Sequence, residues 1–322
     1  MSHELWLWVP FTIMIVTALA VDLGVLNRKA HRPSTREAGL WVLVWVALAL
    51  AFNVFVYFWE GPERALEFLA GYLIEYSLSV DNLFVFIMIF SYFQVAPEYQ
   101  HRVLFWGILG AVVIRGIFVA AGAALFEAFH WIPYVFGAFL VYTGAKMALA
   151  RDEKLEPEAN PVFRWARRVL PLTEGYEGEF FLVRRAGRLL ATPLLLVLIL
   201  VETTDVVFAV DSIPAVFAVS HDPLIVYTSN IFAILGLRSL FFLLAGIMDL
   251  FRFLKYGLSV ILAFVGVKML IAGFYKIPIL ASLGVIFTVL VVSVLASVLI
   301  PAPAHEQTAA SGAEDPARTH TG

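Results

Sequence analysis

Nine predominantly apolar stretches follow one another along the chain, at 5–26, 38–59, 66–93, 103–126, 131–150, 190–219, 224–250, 256–275 and 279–300. About 20 helical residues cross the hydrocarbon layer of a bilayer, so each stretch is long enough to span it. Inside lipid every backbone amide must be satisfied within its own segment, which leaves helices as the only structure these runs can adopt. The fold class is therefore an all-α polytopic membrane protein with about nine transmembrane helices. A content of 61% hydrophobic and 15% charged residues fits that class and no soluble one. The first run contains Ala18-Leu19-Ala20, which resembles a signal-peptidase site, but no basic segment precedes the run and it reads as a retained helix.

One transmembrane domain covers 1–300, with a polar loop at 151–188 inside it, and an Ala- and Pro-rich polar tail follows at 301–322 that reads as disordered. Lys and Arg set the orientation. Arg28, Lys29, Arg32 and Arg36, then Arg102, then Arg151 to Arg188, then Arg252 and Lys255 fall in alternate connections, and the opposite set carries Arg64 and Lys276. With nine spans the N-terminus is outside and the C-terminus, with its tail, is cytoplasmic. In the loop, Val162–Leu170 mixes Arg with Trp and Phe as an amphipathic surface helix would, and Glu179–Leu190 reads as two short strands turning at Ala186-Gly187. Both pieces read as packing and topology devices.

Carboxylates inside the runs carry the functional signal. Glu202, Asp205 and Asp211 lie in the sixth run and Glu75 and Asp81 in the third, and a charge at the centre of a membrane helix costs about 2.5–3.5 kcal/mol on insertion scales. Pro214 predicts a break in the sixth helix beside Asp211, because its ring removes a hydrogen bond to the Val210 carbonyl. Asn82 and Ser212 add neutral oxygen beside the acids. Glu75 and Asp81 are six residues apart and face about 120° away from each other on a regular helix, so one shared ion requires local unwinding.

The third to fifth runs recur as the sixth to eighth. Val80-Asp81 aligns with Val210-Asp211, Glu75 with Asp205, Asn82 with Ser212, Arg115 with Arg238, and Gly144-Ala145-Lys146 with Gly266-Val267-Lys268. A tandem unit with an odd number of crossings places its second copy upside down, giving the inverted repeat on which alternating-access carriers are built. Five acids (Glu75, Asp81, Glu202, Asp205 and Asp211) against two deep cations (Arg115 and Arg238, in charge-compensating or gating roles) leave a negative surplus. A divalent cation, or protons in its absence, neutralises that surplus, which predicts exchange of metal for protons. There is no Cys, and each His lies in a loop, a tail or at a helix end, so the ligands are oxygen and suit Mg²⁺, Ca²⁺ or Mn²⁺. Nothing points to an organic cofactor, to nucleic acid or to an enzyme; the partners are the bilayer, a divalent cation and protons. The residues select neither one of the three ions nor an oligomeric state.

The segments EYSLSVDNLFVF (Glu75–Phe86), TPLLLVLILVETTDVVFAVDSIPAVFAVS (Thr192–Ser220) and YTSNIFAILGLRSLFFLL (Tyr227–Leu244) resemble the TerC family of integral membrane proteins, in its Alx-like branch. The resemblance implies a bacterial inner-membrane protein that exports Mn²⁺, coupled to protons, with the family's intramembrane acids at Glu75, Asp81, Glu202, Asp205 and Asp211 and with Asn82 and Ser212 as neutral ligands. Plant relatives imply an alternative, a membrane scaffold or assembly factor working through the 151–188 loop. An intramembrane hydrolase has no supporting motif around either Asp pair.

Overall fold

The computed structural model describes residues 34–149, 157–185, 187–246 and 253–300, together with residues 11, 13–15 and 17 of the first run, which are helical or flank helical positions. Most of the first run, the basic loop after it, Arg151, Lys154, Arg252 and the 301–322 tail lie outside the described residues. Ten helices follow in order: α1 (Thr35–Glu60), α2 (Pro62–Tyr92), α3 (Pro97–Ala128), α4 (Ile132–Leu149), α5 (Pro161–Val169), α6 (Pro193–Phe217), α7 (Pro223–Leu235), α8 (Leu237–Leu244), α9 (Leu254–Ile271) and α10 (Ile279–Leu299). Seven are long and apolar enough to cross a membrane, and α7 with α8 makes an eighth span bent by 42° at Gly236. The expected count of nine needs the first run as well, and that run is largely outside the described residues.

Local sequence sets the helix starts. Pro62, Pro97, Pro161, Pro193 and Pro223 each open a helix, where the missing N–H is one of the unsatisfied donors in any case. Asp222 caps α7 by accepting from the backbone N–H of Leu224 (2.9 Å) and Ile225 (3.4 Å), and Ser34 and Asn160 cap α1 and α5 in the same way. The lipid-facing surface is apolar: Phe58 is 81% exposed on α1 and Phe287 60% on α10, which only a hydrocarbon surround makes favourable.

The helices associate as an inverted repeat requires. α2 packs on α7 and the repeat-related α6 on α3, while α4 pairs face to face with α9. A Cβ on Gly144 would stand 2.7 Å from the Ser259 carbonyl, and one on Gly266 would stand 2.6 Å from the Gly137 carbonyl. The alignment that places Gly144 on Gly266 also places Gly137 on Ser259, so each close approach is the image of the other. Small residues at such crossings let two backbones meet in lipid. Phe52, Phe68 and Phe232, with ring centroids 4.9–5.8 Å apart, join α1, α2 and α7 at one end of the bundle.

The 157–191 loop is folded. α5 buries Phe163 and Ala166, and Leu182–Arg185 pairs antiparallel with Arg188–Ala191 around Gly187, whose φ of 80° suits glycine. Tyr176 donates to the Phe93 carbonyl (2.7 Å), Arg102 pairs with Glu179 (3.4 Å), and Phe163 meets Phe93 at 5.6 Å, so the loop is fastened to the α2–α3 connection.

The predicted break at Pro214 does not occur. α6 is helical from Pro193 through Pro214 to Phe217, and α2 is uninterrupted past Ser77, Ser79 and Asn82. Pro214 stands in the last turn, where one lost hydrogen bond leaves little helix to disturb. That turn is held from outside, with Phe217 stacked on Phe126 at 5.0 Å, and unwinding it in lipid would expose further amides. The bend falls at Gly236 instead.

Candidate cation site

Arg115 of α3, 0% exposed, is the hub of the first layer. Its Nη1 donates to Glu75 Oε1 of α2, to Ser212 Oγ of α6 (3.1 Å) and to Asn230 Oδ1 of α7 (2.9 Å), and its Nη2 lies 3.6 Å from Asp205 Oδ1. Asn230 donates in turn to the Val226 carbonyl (2.8 Å), which aims its oxygen at the guanidinium. Four helices are tied through one side chain. The repeat-related Glu75 and Asp205 share this single cation, so the layer carries one net negative charge when both are ionised. Glu75 Oε2 and Asp205 Oδ2 are buried without a hydrogen-bond partner, as are Arg115 Nε and Nη2.

The second layer is a cavity of about 50 Å³. Three repeat-related pairs line it from α2 and α6, namely Leu78 with Phe208, Asp81 with Asp211 and Asn82 with Ser212; Met147 of α4 and Leu262 of α9 complete the wall. The volume is enough for a few water-sized groups. Asp211 Oδ1 accepts from Thr143 Oγ1 (3.4 Å). Asp81 makes no hydrogen bond among the described residues, and neither does the Asn82 side chain, although Asn82 is only 5% exposed. A carboxamide and a hydroxyl beside two carboxylates, all lining one cavity, form the oxygen-rich environment a dehydrated cation fits. Ser212 belongs to both layers.

With both helices regular, the five acids fall in different places. Among the described residues no three Asp, Glu or His groups come together as a metal cluster. α2 and α6 are regular, so Glu75 and Asp81 point to different places, as do Asp205 and Asp211: the first of each pair meets Arg115 and the second meets the cavity. Glu202 joins neither group, its carboxylate lying against Gly110 of α3. Arg238 lies in different surroundings from Arg115: its Nη2 is 2.9 Å from His101 Nδ1, whose ring rests on Phe242 at 4.4 Å. The bend at Gly236 lies two residues before it, so α7–α8 cannot present Arg238 as the straight α3 presents Arg115.

Met147 and Thr143 were not among the sequence candidates. Both flank the Gly144-Ala145-Lys146 landmark, which is the one hint the sequence offers, since their role depends on how α4 lies across α2 and α6.

The fold and this cavity define a class: a polytopic, all-helical membrane protein with paired carboxylates facing a small internal space between inversely related helices. The chain belongs to the TerC family of integral membrane proteins, whose match covers residues 60–304. It is 53% identical over 293 residues to an uncharacterized membrane protein of Myxococcus xanthus, covering 91% of this chain and 92% of that one. It is 52% identical over 297 residues to the putative membrane-bound redox modulator Alx of Escherichia coli strain K12, covering 89% and 92%, and 40% identical over 292 residues to an uncharacterized membrane protein of Rickettsia felis, covering 91% and 97%. No solved structure matches the chain.

Proposed function

We propose that this protein is a proton-coupled divalent cation carrier that exports Mn²⁺ from the cytoplasm of a bacterial cell through its inner membrane. The observation that supports it is the cavity between Asp81 and Asp211, with Asn82 and Ser212 beside them. Two carboxylates balance one divalent charge, and two protons balance the same carboxylates when the ion leaves. Exchange through this pair is therefore electroneutral, which is how a charged site in low dielectric moves between two faces at tolerable cost. Arg115 holds Glu75 and Asp205 as a fixed pivot beside the moving ion. The basic connections Arg102, Arg164 to Arg188 and Lys255 mark the cytoplasmic end, and Arg64 and Lys276 the outer end.

No step here makes or breaks a covalent bond, so the protein acts as a carrier and not as an enzyme. With no Cys in the chain, thiol–disulfide exchange is not available to it. The alternative, a membrane scaffold, would work through the 157–191 loop, which is fastened to the helices by Tyr176, Glu179 and Phe163.

The test is transport of Mn²⁺ into proteoliposomes under an imposed pH gradient. Asp81→Asn and Asp211→Asn are each expected to reduce the rate by at least about a hundredfold, as loss of a ligand charge from a two-carboxylate site implies. Deleting the tip of the 182–191 hairpin should leave it within a few-fold. Undiminished transport in both Asn variants would overturn the reading.

A further inference from the structure

We propose, resting on the carrier reading above, that the Met147 thioether is a ligand of the transported ion and the element that discriminates against Ca²⁺ and Mg²⁺. Four of the cavity's donors are hard oxygens, from Asp81, Asp211, Asn82 and Ser212, and those alone suit any hard divalent ion. Ca²⁺ takes six to eight oxygens and Mg²⁺ keeps several of its waters. The cavity, about 50 Å³, holds a few water-sized groups, so an ion there would share its shell between waters and the wall.

On the side away from α2 and α6 the wall is Met147 and Leu262. Leu262 offers no donor. Met147 offers a polarisable sulfur, which repels no hard ion but replaces an oxygen that Ca²⁺ and Mg²⁺ need. Ions of softer character, Mn²⁺ at the margin and Cd²⁺ strongly, accept sulfur in that place. The bare alternative is that Met147 fills a gap, which methionine does well because its side chain is flexible. Its position favours the ligand role: it lines the same cavity as Asp81, Asp211, Asn82 and Ser212, and it comes from α4, which packs face to face with α9.

The experiment uses the full chain in proteoliposomes, with Mn²⁺, Cd²⁺, Ca²⁺ and Mg²⁺ as separate substrates and competitors. Met147→Leu removes the sulfur at nearly constant volume and Met147→Ala removes it with a cavity; thermal unfolding of each confirms that the fold is kept. In the wild type Mn²⁺ and Cd²⁺ are transported and excess Ca²⁺ does not compete. In Met147→Leu, Cd²⁺ transport is expected to fall by about tenfold or more, Mn²⁺ transport by a few-fold, and Ca²⁺ to become an effective competitor. Unchanged discrimination in both variants, or a wild type that moves Mn²⁺ without rejecting Ca²⁺, overturns the role of Met147 and leaves the carrier reading standing. A wild type that moves none of the four ions overturns the carrier reading itself, and the role of Met147 with it.

Discussion

A Cβ on Gly266 of α9 would stand 2.6 Å from the Gly137 carbonyl of α4, and a Cβ on Gly137 would stand 2.9 Å from the Gly266 carbonyl. The obstacle is backbone on both sides, so neither helix can yield by turning a side chain. Gly266→Ala therefore has to push α4 and α9 apart, and overpacking of this kind costs about 1–3 kcal/mol. The same displacement shifts Met147 and Leu262, which come from these two helices and face the cavity. We expect a lower unfolding temperature in detergent together with slower Mn²⁺ transport. At Gly284, where a Cβ would meet nothing within 4 Å, the alanine change should leave both unaltered.

Arg115 is the sole cation among the described residues that touches both Glu75 and Asp205. Replacing it by Met strands two carboxylates in the interior, and removing one partner of a buried ion pair costs about 3–5 kcal/mol. Arg115→Met is expected to express poorly and to lose cooperative unfolding. Combining it with Glu75→Gln and Asp205→Asn removes the stranded charge and should restore a folded protein, as size-exclusion profiles and thermal unfolding would show. A triple variant as unstable as the single one would mean that Arg115 holds the bundle through Ser212 and Asn230 instead.

The distinction between these two layers was half legible in the sequence. Spacing told that Glu75 and Asp81 face different ways on a regular helix, and the repeat paired Asp81 with Asp211 and Asn82 with Ser212, as the cavity does. One ion shared by all five acids requires unwound helices, and Pro214 is the break the sequence offers in α6. Proline disturbs a helix least near its end, and α6 stops at Phe217. The repeat aligns Arg238 with Arg115, and the 42° bend at Gly236, invisible in the alignment, gives the two different surroundings. Met147 and Thr143 could not be singled out, since a methionine and a threonine in an apolar run carry no signal until the neighbouring helix is in place.

Glu202 lies against Gly110, so any side chain at that position meets its carboxylate. The atoms in the way are the far end of a flexible side chain, and Gly110→Ala should displace Glu202 with a stability change below about 1 kcal/mol. Transport then reports what the carboxylate does. If Glu202 passes protons toward Asp205, its neighbour one turn along α6, both Gly110→Ala and Glu202→Gln slow proton-driven Mn²⁺ transport while leaving metal binding unchanged. Equal loss of binding in the two variants would place Glu202 on the ion.

His221 lies between α6 and α7, outside the spans, with its ring 5.1 Å from Phe126 and Phe126 stacked on Phe217. Burial pushes its pKa below 6.5; Glu67 opposes that shift, and Lys268 and Arg64 add to it. The same end of the bundle is tied by Arg64 to Glu67 (3.0 Å) and to Asp222 (3.4 Å), and by Ser220 donating to Glu67 (2.6 Å). Because the folded value is the lower one, the unfolded chain takes up this proton first. The stability present above pH about 6.5 is therefore lost as pH falls through that value toward the lowered folded pKa. His221→Phe keeps a ring on Phe126 and removes the titration. Unfolding temperatures measured between pH 5 and 8 should drop with acid more steeply in the wild type than in the variant, the two curves running parallel above pH 7. Parallel curves throughout would mean that His221 titrates alike in the folded and unfolded chain.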